Sequence, residues 1–274
     1  MRRASFPPAH PRLDLVTPLI SIIVPTYNRA DFVPAAIDSV LAQTYSPFEV
    51  VVIDDASIDD TAARMQRFAS DARISFLRND RNVGIAPTRN RGIAASSGPY
   101  IALLDSDDVW LDRTKLEAQV ARMVADPECA LIGTDATVID RDGRVTGSIR
   151  NMTSDAAIRR TLFVKNQFVT SSVMIRRAAL DAVGVFDEAF GMMMEDYELW
   201  LRIARRFRVA NLRAPMTGYR IHTGNITRGN HQASHDAFDR LYEKYRDSYP
   251  FAWILRVKMW RERRALGRLQ GRVR

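Results

Sequence analysis

The feature that most constrains the fold of this chain is a regular alternation of apolar runs and amphipathic segments over its first 110 residues. Four runs have the length and continuous apolar character of buried strands: PLISIIVPT, FEVVVID, RISFLRN and PYIALLD. Between them lie segments with apolar residues at helical spacing, such as FVPAAIDSVLAQT. Strands that alternate with helices predict βαβ units, and hence a mostly parallel sheet with helices on both faces.

Polar side chains collect where three of these runs end. They are Thr26, Tyr27 and Asn28 after the first run, Asp54 and Asp55 at the end of the second, and Asp105, Asp107 and Asp108 after the fourth. In open α/β sheets, ligands bind outside the carboxyl ends of the strands. The three clusters are therefore expected to converge on one crevice at that edge of the sheet.

The carboxylates of the segment DSDD, residues 105–108, repel each other unless a cation lies between them. At ~4 Å, two like charges cost ~4 kcal/mol at an effective dielectric constant of ~20, and a divalent cation reverses the sign of that energy. Carboxylate oxygens favour Mg²⁺ or Mn²⁺, which usually bind substrate phosphates as well. A solvated acidic turn is the alternative for this segment alone, but the neighbouring polar clusters favour a metal site.

The pattern changes in the second part of the chain. RTKLEAQVARMVADP predicts a helix that ends at Pro127, and ALIGTDATVIDRDGRVTG predicts two strands around a turn. VTSSVMIRRAAL predicts a further strand and the start of a helix. MEDYELWLRIARRF predicts an amphipathic helix, because Leu199, Ile203 and Phe207 fall on one face.

Four stretches resemble successive sequence blocks of the family 2 glycosyltransferases. They are SIIVPTYNRADFVPAAIDSVLAQTY, VVIDDASIDDT, RNVGIAPTRNRGIAASSGPYIALLDSDD and MEDYELWLR, in the order and spacing of the family, and they span about residues 19–225. The resemblance implies the GT-A fold, an α/β architecture with a Rossmann-like, mostly parallel sheet flanked by helices. It also implies inverting, usually metal-assisted transfer of a sugar from a nucleotide diphosphate sugar.

We divide the chain into three parts on this basis. Residues 1–18 are expected to be a disordered leader, and residues 19–229 a single GT-A domain. Within the domain, residues 19–110 are the expected nucleotide-binding half and residues 111–229 the acceptor-binding half. Residues 230–274 are expected to form a basic, helical C-terminal extension.

The resemblance also assigns roles to individual residues. Those implied to bind the nucleotide sugar are Pro25, Thr26, Tyr27, Asp54, Asp55, Arg89, Asp105, Asp107 and His222. Asp55 is implied to recognise the base. Asp108 is the first candidate for the direct metal ligand and Asp107 the second, with Mn²⁺ or Mg²⁺ as the cofactor. Asp196 matches the position of the catalytic base.

Two of these residues have alternative explanations. Taken alone, Asp196 at the start of a helix is typical of an N-cap, and only the order of the sequence blocks favours a catalytic role. The resemblance implies that His222, in YRIHTGNIT, helps to close over the diphosphate or joins the metal. A single histidine near the end of a strand is more often a hydrogen-bonded surface residue.

The composition limits the cellular compartments in which this protein is expected. With 46% hydrophobic and 26% charged residues, the chain has the composition of a soluble globular protein. Cys129 is the only cysteine, which excludes an intramolecular disulfide and fits a reducing compartment. No apolar stretch approaches the ~20 residues that span a bilayer. The N-terminal segment lacks the apolar core of a signal peptide, so we expect a cytoplasmic protein.

The C-terminus concentrates the positive charge of a chain whose formal net charge is +8. From Arg256 to Arg274 there are seven arginines and one lysine against a single acid, Glu262. Trp253 and Trp260 fall at helical spacing and could either pack this helix onto the domain or face an anionic membrane, at the inner side of which the protein would be peripheral. A solvated helix end is a further alternative. No nucleic-acid module accompanies the charge, so no nucleic-acid partner is expected.

The function expected from the residues and the resemblance together is transfer of a sugar from a UDP- or dTDP-type donor to a glycan or lipid-linked acceptor, in cell-surface polysaccharide synthesis. Two alternatives remain at this stage. A nucleotide-sugar-forming nucleotidyltransferase usually has a glycine-rich basic loop after the first strand, and VPTYNRADF contains no glycine. A non-catalytic nucleotide-sugar-binding protein would be distinguished by the absence of turnover.

Overall fold

The computed structural model describes residues 17–191, 193–224, 231–257 and 259–260. Most of the expected leader, residues 1–16, and the last part of the basic extension, residues 261–274, lie outside the described residues. The expected disorder of the leader therefore stays a prediction.

The first half is a four-stranded parallel sheet in the order β3-β2-β1-β4 with helical crossovers, as the alternation of runs predicts. Its elements are β1 (Ile20–Thr26), α1 (Val33–Leu41), β2 (Phe48–Asp54), α2 (Thr61–Met65), β3 (Ile74–Arg78), α3 (Ile85–Ala94) and β4 (Tyr100–Leu103). Every residue of β1 and β4 is buried, whereas the edge strand β3 is largely exposed. Continuous apolar runs suit β1 and β4 because helices cover both faces of the sheet there.

The second half extends the same sheet in the order β4-β8-β6-β9-β5, with β7 added to β6. Its elements are β5 (Val109–Trp110), α4 (Lys115–Ala125), β6 (Cys129–Ile139), β7 (Val145–Ile149), α5 (Asp155–Thr161), β8 (Met174–Arg176), α6 (Arg177–Val183), α7 (Glu195–Arg206), β9 (Arg208–Arg220) and α8 (His231–Tyr245). Among the described strands of this half, the β6–β9 pair is parallel and the other pairs are antiparallel. The predicted hairpin and the predicted amphipathic helix are both confirmed, as β6–β7 and α7.

Helix α3 lies very close to the sheet because of a glycine. A Cβ atom on Gly92 would fall 2.4 Å from Ile53 Cδ1 and 2.6 Å from Ile23 Cγ2. The small-residue composition of this helix thus permits the approach that brings Arg89 over the end of the sheet. Helix α3 ends at Ala94 and does not continue to Gly98. Residues 95–98 instead lead into β4, and a Cβ on Gly98 would lie 2.7 Å from the carbonyl oxygen of Leu19.

The helices after β9 pack onto the domain through apolar side chains. Leu241, Tyr245, Leu255 and Met259 are buried in the same apolar cluster as α7. Trp253 is 65% exposed and does not take part in that cluster, so packing of this tryptophan against the domain was a wrong alternative. Among the described residues, no helix has the length and hydropathy needed to cross a membrane.

Candidate active site

A cavity of about 1060 Å³ opens at the carboxyl ends of β1, β2 and β4. Of the residues predicted to form the site, its lining includes Pro25, Thr26, Tyr27, Asp55, Arg89, Asp105, Asp107, Asp108 and Asp196. The convergence predicted from three separate sequence clusters is therefore present. The start of α7 closes the cavity from the second half, so the predicted donor residues and the predicted base share one space.

Arg89 is a fully buried cation that links the two halves of the cavity. Its Nη2 donates to Asp105 Oδ1 at 2.6 Å, and its Nη1 donates to Glu195 Oε1 at 2.7 Å. Burial alone would lower the pKa of the guanidinium, but the carboxylates of Asp105 and Glu195 reverse this and raise it. A buried arginine paired in this way is always charged, so it fixes both carboxylates in place.

Asp196 lies in the first turn of α7 and faces the cavity. Its Oδ2 accepts a hydrogen bond of 2.5 Å from Thr170 Oγ1, and its Oδ1 accepts from the backbone N–H of Tyr197. The preceding Met194 has a left-handed backbone, with φ of 66°, which turns the chain sharply into the helix. Asp196 is thus held as an oriented carboxylate in the cavity, as a general base requires.

Glu195, one residue earlier, is buried and differs from Asp196 in its environment. Burial raises the pKa of this carboxyl from its usual value to about 7, and the negative charge of Asp196 acts in the same direction, while Arg89 opposes them. Of these two neighbouring acids, Asp196 is therefore open to the cavity, and Glu195 is the buried partner of Arg89.

Asp107 is surrounded by cationic and imidazole groups. Its Oδ2 lies 3.2 Å from Arg29 Nε and 3.0 Å from His222 Nε2. The backbone N–H of Gly224 donates to His222 Nδ1, so in a neutral ring Nε2 carries the proton and donates to Asp107. His222 also stacks on Phe32, with ring centroids 4.7 Å apart. The structure therefore joins His222 to the predicted metal-binding segment, although it is not a lining residue of the cavity.

Both carboxylate oxygens of Asp108 accept hydrogen bonds from other groups of the protein. Its Oδ2 accepts from Ser171 Oγ at 2.5 Å and its Oδ1 accepts from the backbone N–H of Arg220 at 2.7 Å. Burial, followed by the charges of Asp107 and Asp105, raises the pKa of this carboxyl well above its usual range. Because both oxygens are used within the protein, the geometry favours Asp107 over Asp108 as the carboxylate that is open to a metal. The order of ligands taken from the resemblance stays a prediction.

The two aspartates at the end of β2 accept hydrogen bonds from the backbone of neighbouring loops. Asp54 is completely buried, does not line the cavity, and accepts from the backbone N–H of Ser57. Asp55 accepts from Asn79 Nδ2 and from the backbone N–H groups of Val83 and Gly84. The contacts of Asp55 account for its burial without a ligand, whereas Asp54 Oδ2 has no hydrogen-bond partner among the described residues. The predicted contacts of both residues with the nucleotide stay predictions.

The residues at the end of β1 form one wall of the cavity. Pro25, Thr26 and Tyr27 line the cavity, and Tyr27 exposes 41% of its surface there. The hydroxyl of Thr26 is buried and has no hydrogen-bond partner among the described residues. An exposed aromatic ring is a suitable stacking surface for a nucleobase.

Sequence reasoning missed the residues that orient the predicted carboxylates. Arg29, Thr170, Ser171 and Glu195 each contact one of them or its arginine partner. The run VTSSV carried a signal, since small hydroxyl residues directly before a strand are unusual in a buried segment. Nothing local indicated that Thr170 would meet Asp196, 26 residues away.

These residues are compatible with a divalent metal ion if substrate phosphates supply further ligands. Among the described residues, no three His, Cys, Asp or Glu side chains are placed to hold a metal ion together. Mg²⁺ and Mn²⁺ sites in nucleotide-dependent enzymes commonly use one or two carboxylates plus substrate phosphates and water. Asp107 fits that role. His222 Nε2 fits only if Gly224 releases Nδ1, because a nitrogen bound to a metal carries no proton.

Comparison with known proteins agrees with this geometry. Residues 21–184 match the family model described as glycosyl transferase family 2. UDP-Glc:alpha-D-GlcNAc-diphosphoundecaprenol beta-1,3-glucosyltransferase WfaP of Escherichia coli is 33% identical over 211 residues, which cover 76% of this chain and 80% of WfaP.

Solved structures share the fold at lower identity. Staphylococcus aureus TarS 1-349 in complex with UDP-GlcNAc aligns with a TM-score of 0.68 at 20% identity, over 82% of this chain and 64% of that one. The mannosyltransferase PcManGT from Pyrobaculum calidifontis, in complex with GDP-Man and Mn²⁺, aligns with a TM-score of 0.66 at 20% identity, over 90% of this chain and 70% of that one. The GT-A fold expected from the sequence is confirmed, and the chain belongs to glycosyl transferase family 2.

Proposed function

We propose that this glycosyltransferase moves a hexosyl group from a UDP-sugar to a hydroxyl of a sugar linked to a lipid diphosphate, in the synthesis of a cell-surface polysaccharide. One observation carries the proposal: Asp196 lines the same cavity as Asp105 and Asp107. A donor held by the aspartates after β4 would thus place its sugar within the space that the candidate base faces.

The reaction requires one positioned base and a stabilised leaving group. In an inverting transfer, the acceptor oxygen attacks the anomeric carbon while the bond from that carbon to the diphosphate oxygen breaks. The acceptor proton passes to Asp196, and the diphosphate leaves with the electron pair. Thr170 holds the Asp196 carboxylate in one orientation. Arg89 donates to Asp105 in the same cavity, and Arg29 donates to the Asp107 carboxylate at 3.2 Å.

Asp107 is the proposed ligand of Mn²⁺ or Mg²⁺, with His222 as a second ligand once Gly224 has released it. A bound divalent cation would neutralise the negative charge that develops on the departing diphosphate. The proposal that Asp107 rather than Asp108 is open to the metal is supported by the hydrogen bonds that occupy both oxygens of Asp108.

Support for the donor and acceptor classes comes from the similarity to WfaP, a UDP-Glc:alpha-D-GlcNAc-diphosphoundecaprenol beta-1,3-glucosyltransferase. WfgD of Escherichia coli carries the same activity in its name and is 33% identical over 196 residues. Membership in the family argues against the nucleotidyltransferase alternative. A dTDP-sugar remains the runner-up donor, and a binding protein without turnover remains the runner-up function.

We also propose that the protein is peripheral at an anionic membrane, through the helical face that carries Trp253, Val257 and Trp260. These side chains are between 40% and 65% exposed, and the neighbouring Arg256 is exposed as well. Aromatic and basic residues together favour the interface of an anionic bilayer. Cosedimentation with vesicles of anionic phospholipid should fall for Trp253→Ser but not for Val145→Ser, which removes a similarly exposed apolar side chain from β7. Equal cosedimentation of wild type and both variants would contradict the membrane proposal.

The proposed reaction is tested by supplying UDP-glucose, UDP-N-acetylglucosamine and dTDP-glucose, each with Mn²⁺ and with a short-chain lipid diphosphate N-acetylglucosamine. Formation of a disaccharide from a UDP-sugar, lost in Asp196→Asn, is the expected result. Product from dTDP-glucose alone would favour the runner-up donor. Nucleotide binding without any turnover would favour the binding protein.

A further inference from the structure

A second cavity of about 490 Å³ lies beside the active-site cavity and is lined by basic and apolar side chains. Its basic residues are Arg150, Arg160, Lys165 and Arg213, and its apolar residues include Phe251 and Ile254. None of the described residues that line it is acidic. A cavity that combines several cations with an apolar wall is suited to a ligand with an anionic group next to a hydrocarbon chain.

The four cations differ in how their charge is balanced. Arg213 lies 3.3 Å from Asp135 and is neutralised by that buried carboxylate. Arg150, Arg160 and Lys165 have no ion-pair partner among the described residues. Three like charges that converge without an acid favour an anion between them. Two of them are arginines, which bind phosphate oxygens in a bidentate manner.

A buried donor lies in the same wall. The backbone N–H of Asn151 is satisfied by Asp135, whereas the amide nitrogen of its side chain has no acceptor among the described residues. Asn151 is 3% exposed, so a donor without an acceptor there costs free energy unless a ligand or water accepts its hydrogen bond. This observation is independent of the arginines and also indicates an acceptor-rich ligand.

The position of the cavity relates it to the acceptor. Asn151, Val164 and Lys165 line both this cavity and the active-site cavity, so the two spaces share one wall. The residues that line both cavities belong to the second half of the domain, whereas the predicted donor residues after β1, β2 and β4 belong to the first half. A molecule that spans both cavities would present one end to Asp196 and hold its other end among the unpaired cations.

We propose that the smaller cavity binds the diphosphate of the acceptor, while the sugar attached to it reaches into the active site. The inference rests on the proposed function and deepens it by assigning the acceptor site. The lipid chain then leaves over Phe251 and Ile254, beside the exposed aromatic face of Trp253. In such an acceptor, the diphosphate and the attacked hydroxyl are substituents of one sugar ring, which matches two cavities with a common wall.

The test compares two acceptors that differ only in the diphosphate. One is N-acetylglucosaminyl diphosphate with a farnesyl chain, and the other is the farnesyl glycoside of the same sugar. The double variant Arg150→Gln/Arg160→Gln removes two cations that line only the smaller cavity. Its KM for the diphosphate acceptor should rise about tenfold or more, because each arginine loses a charge-assisted hydrogen bond. The KM for the glycoside and for the donor should not change.

Arg64→Gln is the matched control, since Arg64 is an exposed arginine of α2 in the other half of the domain. Equal KM values for the diphosphate acceptor in wild type and the double variant would overturn the assignment. So would an equal rise for both acceptors. If wild type transfers to the glycoside or another hydroxyl compound but never to a diphosphate acceptor, the proposed acceptor class fails and this site fails with it.

A measurement on wild type alone covers the case in which the double variant does not fold. Farnesyl diphosphate should inhibit competitively against the diphosphate acceptor at saturating donor, and farnesol should not. Inhibition by farnesyl diphosphate that is competitive only against the nucleotide sugar would overturn the inference, because the anion would then occupy the donor site.

Discussion

The guanidinium of Arg89, on α3, donates to the carboxylate of Glu195, at the start of α7, over 2.7 Å in a buried setting. These two helices belong to different halves of the domain, and the ion pair lies directly beside the candidate base. The same guanidinium holds Asp105, so one buried cation fixes the geometry of both sides of the active site.

Loss of this cation should destabilise the fold. In Arg89→Met, the buried Glu195 and the half-buried Asp105 would lose their positive partner. Breaking a buried ion pair in this way costs about 3–5 kcal/mol, and we expect the free energy of unfolding to fall by that amount. Urea denaturation monitored by circular dichroism measures it, with Arg64→Met as a control at an exposed arginine. A loss below about 1 kcal/mol would mean that water or rearrangement replaces the pair.

Glu195 should make stability decrease with rising pH. Its pKa lies near 4.5 in the unfolded chain and at about 7 in the folded protein, so the folded state binds the proton more tightly. Between these values the folded state retains a proton that the unfolded state has lost, and the free energy of unfolding falls as pH rises. The fall due to this residue is on the order of 1 to 3 kcal/mol.

Glu195→Gln isolates this contribution, because glutamine does not titrate. Unfolding free energies measured from pH 4.5 to 8 should decline less steeply in the variant than in wild type. Asp105 and Asp108 also have raised pKa values and remain in both proteins, so only the difference between the two slopes is informative. Identical slopes would show that Glu195 stays ionised in the folded protein over this range.

Asp196→Asn should remove the base while preserving its shape. We expect kcat to fall by about 10²- to 10⁴-fold, with the dissociation constant for UDP unchanged, because asparagine keeps the hydrogen bond to Thr170 but cannot accept a proton. Initial rates and calorimetric titration with UDP measure the two quantities. Thr170→Val, which leaves the carboxylate intact but removes its orienting partner, should reduce kcat by a smaller factor. Nearly normal kcat in the Asp196→Asn enzyme would exclude this residue as the base.

Asp107 and Asp108 should respond differently to replacement by asparagine. Asp107→Asn should raise the Mn²⁺ concentration for half-maximal activity by about tenfold or more, since a carboxylate ligand is lost. Asp108→Asn should mainly lower the melting temperature, because its oxygens bind Ser171 and the backbone of Arg220. Titration of EDTA-treated enzyme with Mn²⁺ and thermal melts separate these effects. The opposite pattern would restore Asp108 as the direct ligand.

Gly92→Ala should destabilise the packing of α3 on the sheet. The added Cβ would meet Ile53 Cδ1 at 2.4 Å and Ile23 Cγ2 at 2.6 Å, and both side chains are fully buried. Overpacking of this kind costs about 1–3 kcal/mol, which outweighs the better helix propensity of alanine. Gly147→Ala is the control, because its Cβ would only touch Val138 at 3.7 Å on an exposed strand. Similar unfolding free energies for the two variants would show that the isoleucines move aside freely.

The sequence by itself determined the chemistry at the ends of the strands. Each apolar run that ends in Thr26, Asp54 or Asp105 had to form a buried strand, and parallel strands place their carboxyl ends at one edge. Helix α7 followed from its amphipathic pattern, with Glu195 and Asp196 in its first turn. These features are local, or follow from topology alone, and therefore need no knowledge of which distant side chains meet.

Tertiary structure alone decided which carboxylates are open and which are occupied. Asp107 and Asp108 are adjacent in sequence, yet Asp108 is buried against Ser171 while Asp107 faces Arg29 and His222. The partners come from segments 63 to 115 residues away, and the approach of Ser171 and His222 depends on how β8 and β9 join the sheet. Burial and charges from distant segments determine which of two neighbouring acids is open to a ligand, and the local sequence does not specify them.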